Sequence, residues 1–317
     1  MLLPTFLATV SVLLVALFID TIFGELKNSI HPVAAIGRVA ARLEKKCHGG
    51  TPQDEKIKGA VLAIAIMAAT GVASWLITYA ALMIFGIAGY IVIGGVVLKQ
   101  SFAIRAMRSS ASEIIDSSGH GDAAKARQEL SMIVRRETKS LDDAHMFSAV
   151  VETVSEGTVD GITAPLFYFA LFGIAGAMVY RAANTLDSTV GYNDEYYRNV
   201  GWFSAKMDTL LNYIPARITA FLIIVAGIVS SGSGKKAFHT LETYHGKTES
   251  INAGWPMSAM AGVLGVRLEK PCSYALGNAD RMPLAEEAKK SISIMHVTSA
   301  LFIALIVIPL VLLAAII

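Results

Sequence analysis

The chain has 317 residues, 54% hydrophobic and only 16% charged, with a formal net charge of +2. Soluble domains carry about 25% charged residues, and several apolar runs here reach the roughly 20 residues that cross a bilayer, so the composition excludes an ordinary soluble protein. The small net charge, with basic residues in loops between apolar runs, also speaks against a nucleic-acid partner.

The first apolar run, 2–23, predicts a transmembrane helix rather than a secretory leader. It has neither a basic start nor a small-residue cleavage site, and further apolar runs follow. Asp20 stands near its end. In the next loop Val33, Ile36, Val39 and Ala40 recur at helical spacing, which predicts a short amphipathic helix at the membrane surface with His31-Pro32 at its start. Residues 59–98 carry no charge. They suit a hairpin of two spans, 59–80 and 81–98, with FGIAGY at 85–90 as the turn. The charged segment 99–160 reads as helical, with Ile104, Met107, Ile114 and Ile115 as its buried stripe and a break near Gly119–Gly121. The stretches 162–180 and 215–231 are short or interrupted, the first by Pro165, Gly173 and Gly176. A final span covers 296–317. With no internal repeat, low-complexity tract or separate soluble domain in view, the chain is read as one membrane-embedded domain, 1–317. Its expected fold is an all-α polytopic helical bundle.

Lys and Arg number seven in 24–58, eight in 99–160 and eight in 235–295. By the positive-inside rule these loops face the cytoplasm. The loop 181–217 faces outward if both flanking stretches span fully. If they form a re-entrant pair it stays with the other polar loops, as irregular backbone does when it is buried in protein or lines a cavity. Cys47 and Cys272 lie in polar loops without metal-ligand spacing or a disulfide framework, and read as unpaired thiols.

Polar chemistry concentrates between Arg135 and Arg217. Glu152, Glu156 and Asp160 are spaced i, i+4, i+8, so on a helix they share a face and repel. With no Lys or Arg between them, a divalent cation carrying a nucleotide or phosphate would relieve the repulsion; the plain alternative is a solvated acidic face. Asn184, Asp187 and Ser188 can converge on one ligand, or simply cap a helix. Asp208 and Asn212 repeat the i, i+4 spacing, and Arg217 follows at the edge of an apolar run, where polar groups are functional candidates. Adjacent Arg135 and Arg136 suit phosphate or carboxylate, or are surface residues. Asn252-Ala253-Gly254-Trp255-Pro256 is a rigid turn presenting an aromatic, either to the membrane interface or to a binding site. SGSGKK at 231–236 lacks the first glycine of a phosphate loop and ends KK, so it is set aside. No H-E-x-x-H, C-x-x-C or Ser-His-Asp signature occurs.

The ordered motifs IHPVAAIGR, RRETKSLD, VETVSEGTVDGITAPLFY, AANTLDSTVGY, GWFSAKMDTLLNYIPAR and SINAGWPMSAMAGVLGVRL resemble the CbiB/CobD family of cobalamin biosynthesis proteins, from about Asp20 to Leu268. The family's members are integral membrane enzymes, also called adenosylcobinamide-phosphate synthases. The resemblance implies an ATP-dependent amide ligation with Mg²⁺, joining adenosylcobyric acid to (R)-1-amino-2-propanol or its O-phosphate. Carried over position by position, it implies His31, Glu152, Glu156 and Asp160 as catalytic residues. Arg136, Thr138, Asn212, Arg217, Asn252 and Trp255 fall to nucleotide and substrate binding, and Glu156, Asp160, Asn184, Asp187 and Asp208 to the metal. It places the protein as a multi-pass protein of the cytoplasmic membrane, among membrane lipid and other late-pathway cobalamin enzymes, with no nucleic acid. Because ATP is cytoplasmic, it favours a re-entrant pair and a cytoplasmic 181–217 loop. This chain departs from the family's usual pattern at Glu25-Leu26 (usually Asp-Pro), Glu137 (usually Asp), Gly157 (usually Asn) and Ile251 (usually Pro). A transporter or permease, or a non-catalytic membrane sensor of the same superfamily, is the alternative.

Overall fold

A computed structural model describes residues 2–26, 29, 31–231 and 234–316. Gly232 and Ser233 of the SGSGKK stretch lie outside them. The described elements are almost entirely helical. They are α1 (Leu2–Phe23), α2 (Pro32–Leu43), α3 (Pro52–Lys99), α4 (Ile104–Gly119), α5 (Ala123–Ser131), α6 (Asp143–Thr158), α7 (Ala164–Val190), α8 (Trp202–Ser231), α9 (Gly234–Tyr244) and α10 (Gly254–Leu264). A β-hairpin of β1 (Leu268–Lys270) and β2 (Tyr274–Leu276) follows, then α11 (Ala285–Phe302) and α12 (Ile308–Ile316). Wider π-type turns, Val159–Thr163 and Ile303–Val307, join α6 to α7 and α11 to α12. Among the described residues five helices are long and apolar enough to cross a membrane. The fold is that of an all-α polytopic membrane protein.

Local chemistry sets the helix starts. His31 Nδ1 accepts the Val33 N–H at 3.2 Å, with Pro32 in the first turn of α2. Thr51 and Asp54 exchange bonds in a capping box, at 2.9 and 3.2 Å, to open α3.

Two helices are broken by the same five residues. Phe-Gly-Ile-Ala-Gly occurs at 85–89 and again at 172–176, a short repeat that corrects the sequence reading of none. Gly86 has φ 65°, ψ −160° and Gly173 has φ 66°, ψ −161°, a region essentially restricted to glycine. A Cβ at Gly89 would lie 2.8 Å from the Ala81 carbonyl oxygen, and one at Gly176 2.7 Å from that of Tyr168. A straight helix holds positions eight apart at about 12 Å, so the chain folds back on itself at both places. Tyr168 stacks on Tyr180 across the second turn, centroids 5.3 Å apart. That turn falls inside the 162–180 stretch, whereas 215–231 is the latter part of the uninterrupted helix α8.

The chain divides into two compact units. The first comprises Met1–Ala103, Ala164–Leu211 and Leu305–Ile317. Within it α3 packs against α1 and α7, α2 lies on α7, and Ala40, Ala63, Ile66 and Leu186 form a small buried core. Leu14, Phe18, Ile84 and Phe85 are exposed, as lipid-facing side chains are. The second unit comprises Ile104–Thr163 and Asn212–Ala304. Its centre is α6, whose Met146, Ala149, Val150, Val151 and Val154 are fully buried among α4, α5, α10, α11 and β1. Both cysteines are free thiols, Cys47 buried and Cys272 exposed.

Candidate functional site

The polar residues singled out from the sequence fall into four clusters, two in each unit.

In the first unit, Lys99 ends the uncharged run and is only 1% exposed. Its Nζ donates to Glu25 Oε1 at 2.6 Å and to the Phe102 carbonyl at 3.2 Å, and forms an ion pair with Asp20 Oδ1 at 3.2 Å. Glu25 Oε2 meets His31 Nε2 at 2.8 Å. With Nδ1 already accepting the Val33 N–H, the neutral ring carries its proton on Nε2 and donates it to Glu25. His31 is therefore a helix cap and a partner of Glu25, with both nitrogens engaged. Burial acts to raise the Glu25 carboxyl, but hydrogen bonds from His31 and Lys99, and the Lys99 charge, outweigh it and hold the group below its usual value.

The second cluster lies on the arm of α7 that returns from Gly173. Arg181 Nη1 donates to Asn184 Oδ1 at 3.3 Å, and Asn184 Nδ2 donates to Asp208 Oδ1 at 3.1 Å. Asn184 thus links an arginine to a carboxylate, and Asp187 follows it by one helical turn. Among the described residues no three His, Cys, Asp or Glu side chains are grouped to hold a metal, so the five expected ligands form no closed cage. Magnesium needs only one or two carboxylates beside substrate phosphates. Glu156 with Asp160, and Asp187 with Asp208, have the hard oxygens that such a site uses.

In the second unit Glu152 is 3% exposed and fully engaged. Its Oε2 accepts from Arg136 and, at 2.8 Å, from the Tyr274 hydroxyl; its Oε1 accepts from Ser148 Oγ at 2.8 Å. The β-hairpin positions this group. Glu269 N–H donates to Ser148 Oγ at 2.7 Å, and the pairing of Lys270 with Tyr274 brings the phenol to α6. Burial, then the Glu152 charge, push the Tyr274 hydroxyl upward, so it stays protonated as a donor. The expected repulsion in the acidic row is thus relieved at Glu152 by Arg136, and Glu152 anchors the fold. Glu156 is exposed and Asp160 half-buried, the latter in the π-type turn, a feature frequent at functional sites. Thr138 is buried, and its hydroxyl donates to the Arg127 carbonyl at 2.9 Å, shaping the loop.

The fourth cluster surrounds Arg217. Its Nη1 donates to Asn252 Oδ1 at 3.0 Å and to the Tyr213 carbonyl at 2.6 Å. The guanidinium lies 3.5 Å from the Tyr213 ring centroid and 4.7 Å from that of Trp255, which stacks on His245 at 4.4 Å. Arg217, Asn252 and Trp255 thus meet as one aromatic-walled cationic group. Asn212, the residue before Tyr213, is buried. His245 belongs to this stack.

Residues 13–304 match the protein family described as CobD/Cbib protein. The chain belongs to that family. Similar CobD proteins include "Probable cobalamin biosynthesis protein CobD" of Thermoplasma volcanium, 39% identical over 306 residues that make up 96% of this chain and 98% of the relative. "Cobalamin biosynthesis protein CobD" of Dehalococcoides mccartyi is 37% identical over 90% of this chain and 92% of its own. The protein of the same name from Clostridium perfringens is 35% identical over 90% of each. No solved structure matches the chain. Two of the departures from the usual CobD/Cbib pattern have a visible setting. Glu25 still provides a carboxylate, between Lys99 and His31. At Gly157 the tip of Met107 occupies the space that a larger side chain would need.

Lys99, Arg181, Ser148 and Tyr274 were missed in the sequence. Lys99 had a signal, being the lone cation that closes a long uncharged run. Tyr274 had none, because its partner lies 122 positions away.

Proposed function

We propose that the chain acts in cobalamin biosynthesis as an ATP-dependent amide ligase. It joins the free propionate carboxylate of adenosylcobyric acid to (R)-1-amino-2-propanol or its O-phosphate. The observation that carries this reading is the family match across residues 13–304.

A carboxylate is a poor electrophile. ATP transfers its terminal phosphoryl group to the carboxylate oxygen, giving an acyl phosphate and ADP; the amine then attacks the carbonyl carbon, loses a proton and expels inorganic phosphate. Arg217, oriented by Asn252 and held between two rings, suits a phosphate or carboxylate oxygen. Trp255, Tyr213 and His245 offer flat faces to a ring system. Glu156, which is exposed, and Asp160, which sits in the π-type turn, are candidates for accepting the amine proton. Magnesium, when bound, would offset phosphate charge, and either Glu156 with Asp160 or Asp187 with Asp208 would be suited to hold it. The reading places this chemistry on the cytoplasmic side of the cell membrane, where ATP is found.

Heavy-oxygen label in the propionate carboxylate tests the route. The reading expects one labelled oxygen to be recovered in the released inorganic phosphate. Product formed with unlabelled phosphate would overturn the acyl phosphate step.

A further inference from the structure

A cavity of about 560 Å³ opens in the second unit between α5 and the loop that follows it. Its lining includes four cationic side chains, Arg127, Arg135, Arg136 and Lys139, against one carboxylate, Glu137. Gln128 and Ser131 of α5 add uncharged polar groups. The α5 wall was not a candidate in the sequence, where only Arg135, Arg136 and Thr138 stood out.

Two features make this more than a basic surface. Arg136 is clamped from behind by the buried Glu152, so its guanidinium is fixed in place, while its Nη1 is buried with no hydrogen-bond partner among the described residues. A buried donor left unsatisfied is costly, which favours an acceptor being brought to it. The walls are also built. Arg127 Nε donates to the Leu141 carbonyl at 2.8 Å, and the Arg127 carbonyl accepts from Thr138, so α5 and the loop are held together.

We propose that this cavity is the binding site for a phosphate ester of at least two negative charges. The inference rests on the ligase reading above, which supplies two such molecules: the polyphosphate of ATP and the phosphate of aminopropanol phosphate. Guanidinium and ammonium groups converging on one concavity match phosphate oxygens, with Arg136 as the pre-oriented member. An uncharged or cationic ligand would make no use of the cationic side chains that line the cavity.

The test uses the full-length protein in detergent and reads binding directly, with radiolabelled ATP and separately with radiolabelled aminopropanol phosphate. Arg127→Ala removes a bond that shapes the wall and can misfold, so the decisive variants are Lys139→Gln and Gln128→Ala, whose side chains are exposed. Losing one charge-assisted contact is expected to weaken binding about tenfold to a hundredfold. A weakening by Lys139→Gln confined to ATP assigns the cavity to the nucleotide, and one confined to aminopropanol phosphate assigns it to the amine. Unchanged binding of both in both variants overturns the proposal. Product formation by the wild-type protein is followed in parallel. If product forms while binding is unchanged in the variants, the cavity assignment fails and the ligase reading stands. If no product forms, the ligase reading fails, and the binding data still decide whether the cavity takes phosphate esters.

Discussion

Glu152 holds three donors from separate parts of the second unit, which makes it a structural carboxylate first. Removing one member of a buried ion pair costs about 3–5 kcal/mol, because the other is left charged and unpaired. Glu152→Ala is therefore expected to lower the unfolding temperature in detergent markedly. Glu156→Ala, one turn along and exposed, is expected to change stability by no more than about 0.5 kcal/mol and to abolish turnover while the protein still inserts into membranes. Thermal unfolding and product assays on the two variants separate these roles, and wild-type turnover in Glu156→Ala would remove it from the chemistry. Glu25 gives a pH signature. Its folded-state value lies below the ordinary 4.5, so its contribution is present above that pH and is lost as pH falls through the folded value. Thermal unfolding between about pH 6 and pH 3 is expected to show wild type losing more stability below 4.5 than Glu25→Gln does; parallel curves would contradict this. At this scale the sequence revealed which residues were unusual, since carboxylates and arginines stand out in an apolar chain. It did not reveal what they touch. Arg136 stood out as a phosphate ligand, but nothing in the sequence showed that Glu152, sixteen positions on, holds one side of it.

The two FGIAG turns are the defining elements of the first unit. Both central glycines adopt a conformation that costs other residues about 1–3 kcal/mol. Gly86→Ala and Gly173→Ala are each expected to destabilise by that amount, whereas Gly119→Ala, with open space around it and no positive φ, is expected to be nearly neutral. Denaturation of the three variants in detergent checks this, and equal behaviour of all three would show that the turns are not strained. The first turn was legible because forty uncharged residues are too long for one span. The second was obscured by shorter apolar arms, and the repeat by its length of only five residues. The β-hairpin was not legible either. Strands of three residues are too short to show alternation, and this pair is fixed by Ser148 and Glu152 on α6 rather than by its own sequence.

For the whole molecule, the all-α membrane class was readable because bilayer thickness dictates the length of each apolar run and leaves helices as the way to satisfy the backbone. The division into two compact units was not, because each unit is assembled from segments distant in the chain: 164–211 joins the N-terminal part, and 212–304 joins the middle. The account rests on a polytopic helical protein that carries out a ligation. The most direct measurement incubates purified protein in detergent with Mg-ATP, adenosylcobyric acid and aminopropanol or its phosphate, and follows the corrinoid by mass spectrometry. The account predicts ATP-dependent formation of adenosylcobinamide or adenosylcobinamide phosphate. No product under conditions where both substrates bind, or movement of the corrinoid across a vesicle membrane without chemical change, would contradict it.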